Sequence, residues 1–562
     1  MLKQSKAIVC LLVMIILAGT ILPVSAQKDN RFEISKNLEI FNALVKEMEM
    51  FYVDSVDIEK TLRRGMNSML AGLDPYTEYI PEENMDNLQF MATGEYGGMG
   101  ALIRQRPDGG VVVAEPYEGM PAALSGLKAG DRFLFIDSVD VTNATNETVS
   151  KLLKGVPNTK MLVTVQRPGE KKPRKIEIVR KQITVNQVTY YGVQDGNVGY
   201  IYLSGFTDKT GQEVKAAFED LKQNHNIQSL ILDLRDNGGG VLEAAVQIVG
   251  LFVPKGSEVI STKGKIKQWD RVYRTAVEPL DTVIPLAVLI NENSASSSEI
   301  VAGALQDLDR AVLVGQRSYG KGLVQSTRDL PYEGKLKVTI SRYYIPSGRC
   351  IQQLDYTHRR PDGSVAAIPD SLTSVFYTAN KREVRDGGGI RPDFEVKAED
   401  MPTMMYYLMT DFVLFDFVTD WVQKQKKIPT IEDLKVTDED FEALKAYAKE
   451  KDFTYDRQST KALKQLKEIA EFEGYLKGDT TMFSTLEEKL TPNLERDFDN
   501  NKENIKKLLA SEIAIRYYYQ RGKVMESLKE DEVLEKALEV LRNRELYQST
   551  LSTPANNLAK IH

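Results

Sequence analysis

The stretch from Pro285 to Gln325 constrains this chain most. An apolar run, Leu286 to Ile290, ends in a small polar loop with serines at 294, 296, 297 and 298. Ile300, Val301, Ala304, Leu305 and Leu308 then recur at spacings of three and four, which predicts one face of a helix. A second apolar run, Ala311 to Val314, leads into Ser318-Tyr319-Gly320-Lys321-Gly322. Strand, serine loop, helix, strand and lysine loop in this order predict an α/β layer. They put a serine at a strand-to-helix corner and bring one lysine back toward it, a nucleophile and a base suited to a carbonyl.

At 562 residues the chain is too long for one core. A formal net charge of −7 argues against a general nucleic-acid binder. Lys3 and Lys6 precede an apolar run from Ala7 to Val24, followed by Val24-Ser25-Ala26. This predicts a secretory signal cut after Ala26, and hence export to the periplasm or cell envelope of a bacterium. Kept uncut, the same run approaches the length of a membrane span and would leave the chain membrane-associated. Cys10 and Cys350 are the cysteines, so a cut chain can form no internal disulfide. The histidines are His225, His358 and His562, which provide no metal-ligating cluster. Neither metal nor cofactor is expected, and a Ser/His/Asp triad would have to use His225 or His358, neither in a catalytic context.

Residues 27–92 read as a helical segment, with Leu38, Phe41, Leu44, Val45 and Met48 on one face packing as core, and a turn at Leu73-Asp74-Pro75-Tyr76-Thr77. Residues 93–182 change to short strands and glycine turns, as in a small β-barrel with two helices. Residues 183–397 are α/β. Ser229 to Leu234 is a nearly continuous apolar strand, expected to be buried on both faces, and runs into Asp236-Asn237-Gly238-Gly239-Gly240. Residues 398–562 are helical and highly charged, read first as a structural domain, with a cap, a docking surface or an arm for a homo-oligomer also open.

Ser298 and Glu299 suit capping of the helix start, leaving Ser294, Ser296 and Ser297 as candidate nucleophiles. Gly322 follows Lys321, so the phosphate-loop pattern fails. A lysine base must lose its charge, which burial favours. Lys321, Leu323 and Gln325 share strand parity, so Gln325 is expected to orient the lysine amine. The Gly238-Gly239-Gly240 turn and the N–H following the nucleophile could supply an oxyanion hole.

Tyr96-Gly97-Gly98-Met99-Gly100-Ala101 together with Gly119-Met120-Pro121-Ala122-Ala123 and Gly130-Asp131 resembles a PDZ domain. Gly98, Met99 and Gly100 are its candidate amide donors for a peptide's terminal carboxylate, the peptide adding as a strand. The run from Ser294 to Gln325, preceded by Leu230 to Gly240 and followed by Arg342 to Gln352 and Gly389 to Val396, resembles the carboxyl-terminal processing peptidases, serine proteases with an embedded PDZ domain. The resemblance implies a multidomain α/β chain with a PDZ-like barrel before a crotonase/Clp-like protease core, flanked by helical segments. It implies Ser296 as nucleophile, Lys321 as base at the family spacing, and Gln325 in support of the lysine. The backbone amides of Ser297 and Gly239 are implied as the oxyanion hole. Ser297 stands where the family usually has alanine, and Lys154 where it often has arginine, so charge is kept there without the bidentate fork. The implied partners are proteins and peptides with unstructured C-termini. A non-catalytic PDZ scaffold and an enoyl-CoA hydratase-like enzyme are the rival readings; the intact Ser296, Lys321 and Gln325 disfavour the first, the secretory signal and PDZ pattern the second.

Overall fold

A computed structural model describes residues 30–397, 401–425, 427–455, 458–476, 481–490 and 492–552. The predicted signal and its cut after Ala26 lie outside the described residues. The chain divides into two units, residues 1–79 and 80–562.

In the first unit, α1 (Arg31–Phe51) and α2 (Ile58–Ala71) are joined by a short loop, and the Asp57 carboxylate caps α2 by accepting from the Lys60 N–H at 3.0 Å. Leu38, Phe41 and Leu44 stay exposed, so the predicted apolar face of α1 does not pack as core. The predicted turn is built by Asp74, whose carboxylate accepts from the N–H groups of Tyr76 and Thr77, each at 2.8 Å.

The second unit begins with α3 (Met85–Thr93), which ends at Gly94 in the left-handed conformation. β1 (Glu95–Gly98) follows, then an antiparallel sheet of β2 (Ala101–Gln105), β3 (Val111–Pro116), β4 (Arg132–Ile136), β5 (Lys160–Gln166) and β6 (Arg174–Val179), in that order. α4 (Asn146–Leu153) lies between β4 and β5 and buries Val149 and Leu153 against Phe133, Met161 and Val163 of this sheet. β7 (Lys181–Thr184) returns to pair with β1 and closes the domain.

The α/β core is a six-stranded sheet. Its edge is β8 (Val188–Gln194), antiparallel to β9 (Val198–Leu203). α5 (Thr210–His225) leads to β10 (Ser229–Asp233), and α6 (Leu242–Gly250) to a second, antiparallel layer that starts with β11 (Glu258–Gly264) and β12 (Arg271–Arg274). The chain re-enters the large sheet as β13 (Leu286–Ile290), forms α7 (Ser297–Asp307) and continues as β14 (Val312–Gly315). β15 (Leu323–Asp329) and β16 (Lys335–Tyr344) join the second layer, where β16 pairs with β11. β17 (Phe394–Glu395) completes the parallel run β9-β10-β13-β14-β17.

Strand parity divides the sheet's side chains between two covers. Ile201, Leu203, Leu230, Leu232, Val288 and Ile290 pack with Phe218 of α5, Ile248 of α6 and Val301 of α7. Tyr200, Ile231, Ala287, Leu289, Val312 and Val314 face the other way. There they meet Leu534, Ala537, Leu538 and Leu541 of a helix far along the chain. That helix belongs to the C-terminal region, which contains α8 (Thr403–Thr410), α9 (Val413–Lys424), the long α10 (Lys502–Ser527) and α11 (Glu532–Arg542). α11 is thus the second cover of the sheet, each buried leucine contributing roughly 1.5–3 kcal/mol. The same region braces the β2–β6 domain: Phe412 and Phe415 pack on Val112 and Ala114, and the Arg106 guanidinium forks onto Asp416 at 2.7 and 2.8 Å.

Candidate active site

Ser296 stands at the corner between β13 and α7 with φ 56° and ψ −112°, a conformation that L-residues avoid and that the surroundings must impose. Those surroundings are the neighbouring serines. The Ser294 hydroxyl donates to Leu234 O at 2.8 Å, that of Ser297 to Gly240 O at 3.0 Å, and that of Ser298 to Asn237 O at 2.8 Å. Three hydroxyls therefore stitch the serine loop to the turn after β10, and Ser294 and Ser298 are fully buried. Ser296 lines a cavity of about 920 Å³, and Lys321, Gln325, Ser297 and Gly238 to Gly240 line the same cavity. His225 and His358 are not among its lining residues; His358 pairs instead with Asp355 at 2.7 Å.

Glu299 holds the corner and the lysine loop together. It is completely buried, and its two oxygens accept four hydrogen bonds. One oxygen takes the Ser318 hydroxyl at 2.6 Å and the Gly320 N–H at 2.7 Å; the other takes the N–H groups of Ser296 at 2.8 Å and Lys321 at 2.9 Å. Burial pushes its pKa up, and the four donors pull the other way. The sequence predicts only a helix cap here. The contacts to residues 318–321 are long-range and carry no local signal.

Gln325 reaches the cavity by a different route from the one parity predicts. The strand starts at Leu323, beyond Lys321, and a bulge between Val324 and Gln325 breaks the alternation. The Gln325 amide nitrogen donates to the Thr339 hydroxyl at 3.1 Å.

The turn after β10 has φ 94° at Gly239. A Cβ there would stand 2.8 Å from the Ser296 Cβ and 2.9 Å from the Ser297 N, so glycine is required for the two loops to touch. The Gly239 N–H donates to the Asn237 side-chain oxygen at 2.9 Å, and the Asn237 amide donates to Leu203 O at 2.7 Å. The amide expected to receive an oxyanion is therefore already engaged within its own turn.

Behind this turn Arg235 binds two carboxylates. It forks onto Asp233 at the end of β10 and onto Asp531, at 3.0 and 2.6 Å, where Asp531 also caps α11 through the N–H groups of Val533 and Leu534. The C-terminal region, in which the sequence showed no chemistry, thus reaches within a few residues of the glycine turn.

Comparisons with known proteins identify the domains of the chain. Residues 197–362 match the model for peptidase family S41, residues 87–166 that for a PDZ domain, and residues 404–541 that for the C-terminal helical domain of probable PDZ-proteases. A carboxy-terminal-processing protease of Bartonella bacilliformis is 34% identical over 64% of this chain and 82% of its own length. The chain belongs to this family of peptidases. A carboxyl-terminal-processing protease of Synechocystis is 35% identical over 51% of the chain and 68% of its own length. Among solved structures, a photosystem II D1 C-terminal processing protease is 26% identical, covers 65% of this chain and 94% of its own, and has a TM-score of 0.34. The protein is accordingly a serine-type endopeptidase carrying a PDZ domain.

In this peptidase the predicted carboxylate cradle at Gly98, Met99 and Gly100 is buried. Met99 O accepts from the Ala122 N–H at 2.8 Å and Gly100 O from the Tyr117 N–H at 2.9 Å. The Tyr96 ring lies over Gly98, 2.7 Å from where a Cβ would be. Burial pushes the Tyr96 hydroxyl well above its ordinary pKa, while hydrogen bonding from the amides of Ala101 and Gly100 acts in the opposite direction. The ring also meets Phe90 of α3 edge-on at 5.4 Å. Lys154 sits 5.9 Å above the Tyr96 ring and donates to Asn87 of α3 at 2.8 Å. The same helix places Leu88, Met91 and Ala92 on the cavity lined by Ser296 and Lys321.

Proposed function

We propose that Ser296 is the nucleophile and Lys321 the general base of this peptidase. The observation that carries the reading is Glu299: one carboxylate binds the backbone of both residues, whose side chains line one cavity while the adjacent serine hydroxyls are engaged elsewhere. The Ser296 hydroxyl oxygen bonds to the substrate carbonyl carbon as its proton passes to the Lys321 amine. The tetrahedral oxygen takes the N–H groups of Ser297 and Gly239, the latter in exchange for the Asn237 side chain. When the C–N bond breaks, Lys321 returns the proton to the leaving amine. Water then attacks the acyl ester as Lys321 takes its proton, and when the C–O bond breaks Lys321 passes that proton to the Ser296 oxygen, releasing the product acid and restoring both residues. Gln325, held by Thr339, borders this space and helps to position the lysine.

Purified protein is expected to cleave an unfolded substrate near its C-terminus, and Lys321→Ala to slow the chemical step by about 10²–10⁴-fold, the range of general-base catalysis. Binding without cleavage by the wild type across several unfolded proteins would favour the scaffold instead.

The PDZ domain takes the substrate's C-terminus at the amides of residues 98–100, where Tyr96 competes for the cradle. Tyr96→Phe is expected to tighten binding of a C-terminal peptide about three- to tenfold, the value of one net hydrogen bond. Calorimetric titration of the full chain would measure it, and an unchanged affinity would remove Tyr96 from the cradle.

A further inference from the structure

The catalytic cavity extends beyond Gln325 along the second β layer, where its wall carries Arg271, Arg328 and Lys337 beside Trp269. Arg271 and Arg328 are exposed. The Arg328 guanidinium lies 4.5 Å from the centre of the half-exposed Trp269 ring, which holds its planar fork against a fixed surface. Neighbouring carboxylates are engaged elsewhere. Asp270 accepts from the Gly264 N–H at 2.8 Å and faces Lys267, Asp329 pairs with Lys335, and Glu258 pairs with Arg274. Among the lining residues the one carboxylate is Glu243, next to the glycine turn on α6. A positive wall in a chain of net charge −7 is a local feature, set against the average.

Strand register gives its distance from the chemistry. Arg271 pairs across to Thr262, Thr262 to Tyr343, and the Tyr343 hydroxyl donates to Ser296 O at 3.3 Å. Along β15, Arg328 stands three residues beyond Gln325, about 10 Å, which an extended peptide covers in about three residues.

We propose that this wall is a carboxylate-binding subsite of the proteolytic groove. It takes an acidic side chain, or the free terminal carboxylate of the substrate, about three residues from the bond cut. The proposal rests on Ser296 as the reacting residue and adds a preference in substrate. Guanidinium forks match a carboxylate bidentately, and the stacked Trp269 keeps the Arg328 fork preorganised. This subsite is separate from the PDZ cradle, which offers backbone amides in place of arginines.

The test compares peptides of one scissile sequence: neutral, with aspartate three residues to either side, and with a free or an amidated C-terminus near the cut. In the wild type the carboxylate peptides are expected to show a kcat/KM about fivefold above the neutral one, the scale of an exposed ion pair, shrinking as salt rises. Arg271→Ala/Arg328→Ala is expected to erase this ratio and Arg328→Glu to invert it. A preference that follows aspartate identifies an internal acidic residue; one that follows amidation identifies the chain end. Equal rates in the wild type, or a preference that survives the double variant and so belongs to the PDZ domain, overturns the subsite. Should Ser296 prove not to be the nucleophile, the ratio still reads the subsite, so the two failures are told apart.

Discussion

Ser296→Ala is expected to lower cleavage of an unfolded substrate by about 10⁶-fold, the loss seen when a serine nucleophile is deleted from a working site. The fold should be unaffected. Alanine at φ 56° carries the same backbone strain as serine, and the hydroxyls that tie the loop to the glycine turn belong to Ser294, Ser297 and Ser298. Ser297→Ala is the informative control, because it removes the bond to Gly240 O and leaves the Ser297 N–H in place. Its rate should stay within about a hundredfold of the wild type, as expected for a small displacement of an otherwise complete site. Single-turnover cleavage and a thermal unfolding scan on both variants settle the matter. Wild-type activity in Ser296→Ala, or an equal collapse in both variants, would dismiss Ser296.

Glu299→Gln should show the largest loss of stability. Two carboxylate oxygens offer about four acceptor sites, and all are used by the donors of Ser318, Gly320, Ser296 and Lys321. A glutamine turns two hydrogens toward donors that already fill the space. Buried donors left without partners cost about 1–3 kcal/mol each, so a loss of roughly 4 kcal/mol is expected in denaturant unfolding. The protein that remains folded should lose about 10²-fold in rate, since both reacting residues move.

The pH profile separates this positioning role from plain destabilisation. Burial raises the Glu299 pKa, so as pH falls the folded protein takes up this proton before the unfolded chain does. Between the unfolded and the raised folded value, acidification therefore favours the folded state through this group. Activity should nevertheless fall there, because the added proton displaces a donor. A rate that drops as pH falls while the unfolding midpoint holds or rises is the expected signature. Parallel loss of both would assign the acid limb to other groups.

The buried strands were legible because runs such as Leu230 to Leu232 and Leu286 to Ile290 are apolar at every position, as a sheet covered on both faces requires. The serine corner followed from the adjacency of such a run and a periodic helix. What covers the second face was not legible. Residues 532–542 have a helical apolar stripe, and periodicity does not say against which distant surface it packs. The same holds for Arg235 and Asp531, joined across 296 positions. The bulge at Gln325 escaped because strand alternation assumes unbroken pairing. The engagement of the Gly239 amide escaped because Asn237 reads equally well as an ordinary turn residue.

The second cover of the sheet has a consequence for the order in which this peptidase folds. Chains are made from the N-terminus at about 5–20 residues per second. Ser296 and Lys321 therefore emerge well before Leu534, Leu538 and Leu541, and until those leucines arrive the face of the sheet that carries Tyr200, Ile231 and Leu289 lacks the cover of α11. A half-made molecule holds the residues proposed to react and lacks the helix that covers this face of the sheet. Synthesis order thus makes closing of the sheet's second face a late step of folding, one that waits for the chain to be made through Leu541.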